Sequence, residues 1–277
     1  MAVTSEGLTG VDGARIGIAT LDAAKSLNAL SLAMIEQLEA LLQAWARDAG
    51  VVCVLLRGSG AKAFCAGGDV RALVDQCRGK PGQVPALARQ FFAAEYRLDY
   101  ALHCYPKPLL CWGHGHVLGG GLGLLQGAGI RIVTPSSRLA MPEISIGLYP
   151  DVGASWFLSR LPGKLGLFLG LTGSPINARD ALDLGLADRF LGEQQQRALI
   201  DELLQLNWQE QTTLQLNSLL KCQQHRALAD LPQAQWLPRR ALIDEVLDVA
   251  DPVAAWRAIA SLRQHSDPLL AAAGQRL

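Results

Sequence analysis

An α/β fold followed by a helical C-terminal part is the architecture this sequence predicts. Two observations carry that expectation. Up to about residue 150, short apolar runs alternate with longer segments of helical apolar spacing, and from about residue 153 only helical spacing remains. A third is where the glycines fall. Gly67-Gly68 and Gly119-Gly120-Gly121 each sit between an extended run and a helical one, where backbone can approach a ligand closely.

The elements follow in order. Residues 15–21 (RIGIATL) alternate apolar and small residues and predict a first strand. Ser31 is a candidate N-cap for a helix over 32–49, which carries Met34, Leu38, Leu41, Leu42 and Trp45 at helical spacing. Residues 51–56 are a continuous valine- and leucine-rich run, as expected of a strand buried on both faces. A Gly/Ser loop (57–62) and a tight small-residue segment (63–68) precede Asp69, which opens a helix through Val70, Leu73 and Val74. A carboxylate in that first turn suits the helix dipole. Residues 79–85 (GKPGQVP) read as a loop, 86–105 as a helix and 109–112 as a strand. The segment GHGHVLGGG is then a turn into a small-residue helix ending near Gly129, with short strands at 130–134 and 138–141. Beyond that, helices are expected at 153–161, 164–171, 178–184, 194–206, 214–222, 239–249 and 252–262, with an α/β core over 1–192 and a helical region over 193–277.

Composition narrows the function classes. The chain has 277 residues, half of them hydrophobic and 18% charged, with 25 Lys plus Arg against 25 Asp plus Glu, hence no formal net charge. Nothing in that balance points to nucleic acid. No apolar run reaches the roughly 18 residues a membrane helix requires, and MAVTSEGLTG has no secretory pattern. Six cysteines (Cys53, Cys65, Cys77, Cys104, Cys111 and Cys222) form no CxxC pair, so reduced thiols in a cytoplasmic protein are expected.

Several chemistries are excluded by spacing. Gly113-x-Gly115 follows a strand, but Leu118 stands where a dinucleotide-binding turn needs its third glycine. A Walker A loop and a GxSxG elbow are both missing from the sequence. His114 and His116 lack a third ligand nearby, so no metal is expected. What remains is 115–151. Its glycine triplet offers N–H donors at a helix start, suited to an anion or developing oxyanion. Its two carboxylates, Glu143 and Asp151, stand in proline-containing turns and suit acid–base or nucleophilic work.

KAFCAGGDVRAL (62–73), GHVLGGGLGLLQGA (115–128) and MPEISIGLYPDVGASWFLSRL (141–161) resemble the crotonase, or enoyl-CoA hydratase/isomerase, superfamily. Within it AGGD, GGG, MPE, the PDVG turn and KLGLFLGLTG (164–173) resemble the 3-hydroxyisobutyryl-CoA hydrolase branch, most clearly over 15–192. The resemblance implies a β-β-α superhelix wrapped by C-terminal helices, and a C-terminal region shorter than in that branch. It implies an oxyanion hole from the N–H groups of Gly68 and Gly120, with Glu143 as nucleophile or general base and Asp151 binding the acyl hydroxyl or assisting proton transfer. Ala66, Gly119, Asp69 and Arg71 are further substrate-binding candidates, the last two structural or close to CoA.

Hydratases of this superfamily resemble one another in using two glutamates. The first of those positions here is Gly123, while Asp151 stands where many hydratases have glycine. That exchange implies thioester hydrolysis in valine breakdown, with coenzyme A as part of the substrate, no separate cofactor, no metal, and a homo-oligomer as partner state. The alternatives are an enoyl-CoA hydratase or isomerase working with Glu143 and Asp151, and a non-catalytic CoA-binding protein.

Overall fold

The computed structural model describes residues 2–79, 82–210, 212–249 and 251–277. Part of the expected 79–85 loop therefore lies outside the described residues, as does the side chain of Cys77.

Among the described residues, ten strands form two sheets. One has six strands in the order β1-β2-β3-β5-β7-β10: Val3–Thr9, Arg15–Leu21, Val51–Gly58, Leu109–Gly113, Ile130–Val133 and Arg189–Phe190. β1 pairs antiparallel with β2 and every other neighbour is parallel. The second sheet orders β4 (Ala63–Cys65), β6 (His116–Leu118), β8 (Arg138–Ala140) and β9 (Ile176–Asn177), parallel except for β8 and β9. The chain alternates between the sheets, β3 to β4, β5 to β6 and β7 to β8, with helices between the pairs. That is a β-β-α superhelix, as expected.

The two-sided burial inferred from the apolar runs is explicit in the packing. Ile16, Ile18, Cys53, Leu55, Leu110, Trp112 and Ile132 face one cluster, completed by Leu199, Ile200 and Leu203 of α8 (Gln195–Leu203) and Leu216 and Leu220 of α9 (Thr212–Ala227). The alternate residues Ala19, Leu21, Val54, Leu56, Cys111 and Val133 face the other cluster. There they meet α1 (Leu32–Arg47), α3 (Ala86–His103) and α4 (Gly120–Gly127). Ser31 does cap α1, its side chain accepting from the Met34 N–H. α2 spans Val70–Gly79.

The expected run of helices beyond residue 153 is corrected at two places. β9 and β10 are only two residues each, too short for any periodicity to register. β1, β4 and β6 also escaped the sequence reading. β4 and β6 are three residues long inside stretches read as a tight segment and a turn, and β1 is a polar edge strand with an interior glycine. The remaining helices are α5 (Ala154–Leu158), α6 (Leu165–Thr172), α7 (Ala178–Asp183), α10 (Arg240–Val246), α11 (Pro252–Ser261) and α12 (Pro268–Gln275), the last not anticipated. Buried Asp180 on α7 accepts from the Gln235 and Trp236 N–H groups at 2.9 and 3.0 Å, and Trp236 stacks on Phe168 with centroids 5.4 Å apart. These contacts join the C-terminal helices to the larger core. No helix among the described residues is long and apolar enough to cross a membrane.

Candidate active site

Two turns of the same construction create the backbone part of the site. Just beyond β4, Gly67 has φ 93, and just beyond β6, Gly119 has φ 50. Both values lie where only glycine is comfortable. Each flip redirects the next peptide, that of Gly68 and Gly120 respectively, and all four glycines line one cavity of about 160 Å³. Among the described residues, neither the Gly68 nor the Gly120 N–H donates to a backbone carbonyl. Gly120 opens α4, so its N–H has no partner within the helix. These are free donors facing a cleft, the arrangement an oxyanion hole requires.

The carboxylates converge on the same cavity. Glu143 begins a 3-10 turn (Glu143–Ile146) closed by left-handed Gly147, and its side chain is buried against Gly119. A Cβ at Gly119 would lie 2.6 Å from Glu143 Oε1, so only glycine leaves room there. Glu143 Oε2 is buried with no hydrogen-bond partner among the described residues. Asp151 lines the same cavity and accepts a hydrogen bond from Tyr96 Oη at 2.8 Å. Ala66 is also in the lining. Asp69 and Arg71 are not; Val70 between them is.

A carboxylate the sequence reading passed over completes the set. Glu95 on α3 lines the cavity, is 3% exposed, and lies so close over Gly120 that a Cβ there would collide with its Oε1. One helical turn on, Asp99 has both carboxyl oxygens buried and unpartnered among the described residues. The signal was present as two acids four apart on the face that also carries Phe91 and Leu102. The apolar residues alone were counted.

Four carboxyl groups near one another and away from water have their pKa values pushed up. Burial, reinforced by Asp99, Asp151 and Glu143, pushes Glu95 up to about 8. Burial and the Asp151 charge push Asp99 up to about 8 as well. Glu143 rises to about 7, again chiefly through burial with Asp151 adding to it. Asp151 is raised by burial and pulled back by the Tyr96 hydrogen bond. A carboxyl poised near neutrality can serve as a proton acceptor at physiological pH.

The raised groups also imply a pH dependence of stability. Asp99 favours the folded state fully below the ordinary carboxylate pKa, and that contribution is lost as the pH rises through about 8. Asp99→Asn cannot ionise. Its melting temperature should come closest to the wild type below about pH 4, and its lead should widen with pH to several degrees near about pH 9. A difference that does not widen with pH would remove this assignment.

His114 Nε2 pairs with the Gly60 carbonyl at 2.8 Å and His116 is exposed. No group of three or more His, Cys, Asp or Glu among the described residues could hold a metal ion. Cys53, Cys65 and Cys111 are buried free thiols, with burial pushing Cys65 up to about 12.

Comparison with known proteins was informative on both sequence and shape. The family described as enoyl-CoA hydratase/isomerase matches residues 16–277. A protein named 3-hydroxyisobutyryl-CoA hydrolase, mitochondrial, from Gallus gallus is 45% identical over 175 residues, covering 63% of this chain and 44% of its own. The protein of the same name from Danio rerio is 42% identical over 192 residues, covering 69% of this chain and 49% of its own. The chain thus spans about half the length of the curated relatives it matches. Among solved structures, an enoyl-CoA hydratase from Rhodobacter sphaeroides superposes with a TM-score of 0.81 at 32% identity, over 99% of this chain and 73% of that one. A carnitinyl-CoA dehydratase from Mycobacterium thermoresistibile gives 0.77 at 32% identity, over 98% and 74%.

Proposed function

Given that the chain belongs to the enoyl-CoA hydratase/isomerase family, we propose that its site hydrolyses an acyl-CoA thioester, with 3-hydroxyisobutyryl-CoA as substrate. The thioester oxygen sits between the Gly68 and Gly120 N–H groups, each such donor supplying roughly 3 kcal/mol to the transition state. Glu143 supplies the reacting carboxylate, either attacking the carbonyl carbon and expelling the thiolate, or taking the proton from an attacking water. Asp151, oriented by Tyr96, binds the acyl hydroxyl or passes the proton to the departing sulfur.

One observation carries the choice of hydrolysis over hydration. The position of the missing hydratase glutamate, Gly123, is backed by Val152: a Cβ on Gly123 would lie 2.5 Å from the Val152 Cβ and 3.2 Å from Asp99 Oδ1. No acid can be carried there without moving Val152, whereas Asp151 already lines the smaller cavity with Glu143. The names of the sequence relatives support the acyl group chosen. Such a substrate belongs to valine catabolism. The cytoplasm is the compartment read from the sequence, although the relatives carry "mitochondrial" in their names. A homo-oligomer is the expected assembly.

The test is release of free thiol from 3-hydroxyisobutyryl-CoA, run beside hydration of crotonyl-CoA followed by loss of enoyl absorbance. Thiol release with hydration at least about a hundredfold slower is the expected result. Hydration without thiol release would replace this reading with the hydratase one. CoA binding with neither reaction would leave a non-catalytic binder.

A further inference from the structure

The catalytic cavity has a larger neighbour. A second cavity of about 470 Å³ adjoins it, and the same three elements line both in succession. α3 gives Glu95 to the smaller and Tyr96 and Asp99 to the larger. α4 gives Gly120 and then Gly123. The turn that enters α5 gives Asp151 and then Val152. No lining residue is shared, so a thin partition separates the two spaces.

That partition has two parts. One is the 2.8 Å hydrogen bond from Tyr96, on the larger side, to Asp151, on the smaller. The other is Val152 packed onto Gly123 on the larger side, where a Cβ on Gly123 would lie 2.5 Å from the Val152 Cβ. Val152 is 5% exposed and has φ 43. Positive φ in a β-branched residue is an outlier that persists only where surrounding structure enforces it. Here the left-handed backbone puts Val152 on the larger cavity's side of the divide, directly after Asp151 on the smaller cavity's side. A volume of 160 Å³ admits on the order of five water-sized groups, the scale of a short acyl unit.

We propose that Val152 is the specificity-determining residue that ends the acyl pocket, confining the site to short acyl groups. Removing its side chain would join the pocket to the larger, mainly apolar space bounded by Phe157, Leu184 and Leu186. This inference rests on the acyl-CoA reading of the site.

Val152→Gly tests it directly, since glycine tolerates the same backbone, and Val152→Ala carries the same reading should the glycine variant fail to fold. Two readouts are taken on each folded protein. The first is the affinity for non-hydrolysable S-butyl-CoA and S-octyl-CoA by calorimetry. The second is thiol release from butyryl-CoA and octanoyl-CoA. Wild type should prefer the butyl analogue, and the octyl-to-butyl affinity ratio should rise about tenfold or more on removal of the side chain. Adding Leu184→Trp, which fills the larger cavity, should take that gain away. An unchanged ratio, or a wild type that already favours the octyl chain, overturns the proposal. A ratio that shifts while no protein releases thiol leaves the partition standing and rejects hydrolysis instead. Failure of wild type to bind either analogue rejects the acyl-CoA reading and the partition with it.

Discussion

Replacing Glu143 by glutamine is expected to stop thiol release, with kcat falling about 10³-fold or more, or about 4 kcal/mol of transition-state stabilisation. The substitution keeps the shape that packs against Gly119 and removes only the charge and the proton-accepting oxygen. Stability should hold, because the carboxylate is buried and its Oε2 makes no hydrogen bond among the described residues. An amide there removes the cost of ionising a group already pushed up to about 7. KM should change little, since the oxyanion donors are main-chain groups the substitution does not touch. Asp151→Asn should cost less, about 10²-fold, because Tyr96 can still position the side chain. Single turnover in ¹⁸O-labelled water separates the two roles of Glu143. Attack by the carboxylate forms an anhydride and leaves label in the protein when water opens it at the glutamyl carbon, whereas a base leaves label only in the acid product. Retention of more than about a tenth of wild-type activity by Glu143→Gln would exclude it from the chemistry altogether.

Gly123→Glu is expected to fail as a conversion to hydratase and to destabilise the protein. The side chain would have to displace Val152 and would bring another acid to Asp99. Overpacking of this kind costs about 1–3 kcal/mol, and a charge buried beside an unpaired carboxyl adds to that. The expected readout is a melting temperature lowered by roughly 5 °C or more, on a slope of about 2–4 °C per kcal/mol for a chain of this size, with no crotonyl-CoA hydration. A soluble variant that hydrates crotonyl-CoA at a measurable rate would show the wall to be pliant. It would also weaken the argument for hydrolysis drawn from Gly123.

The parts of the fold and site legible in the sequence were those marked by unusual residues or long periodicity. Glycine pairs marked both donor turns because positive φ demands that residue type. Glu143 and Asp151 stood out as acids in proline-containing turns. β2 and β3 announced themselves as an alternating run over 15–21 and a continuous apolar run over 51–56, which the structure gives as Arg15–Leu21 and Val51–Gly58. In the second sheet β8 was legible as a short strand at 138–141, but β4, β6 and β9 stayed hidden because they are only two or three residues long. Glu95 stayed hidden because a polar residue on an amphipathic helix is ordinarily assigned to water. Only the packing of α3 against α4 shows that this one faces inward. Tyr96, counted as part of the apolar stripe, is 39% exposed and spends its hydroxyl on Asp151. Helical spacing reports which face is apolar and says little about what a ring's polar end reaches.

The pairing of β4 with β6, Ala63 opposite His116 and Cys65 opposite Val117, acts as a ruler for the chemistry at their ends. Neighbouring strands stand about 4.8 Å apart, and an N–H donor sits about 2.9 Å from the oxygen it serves. Two donors held at the strand spacing therefore subtend about 110° at a shared oxygen, near the angle between the lone pairs of a carbonyl. Gly68 and Gly120 each stand three residues beyond a paired residue, Cys65 and Val117, so the ladder of backbone hydrogen bonds holds the starts of both turns side by side. Side chains around the cavity are free to vary, and with them the acyl group and the fate of the proton. The calibration between the donors stays fixed for as long as the two strands remain paired.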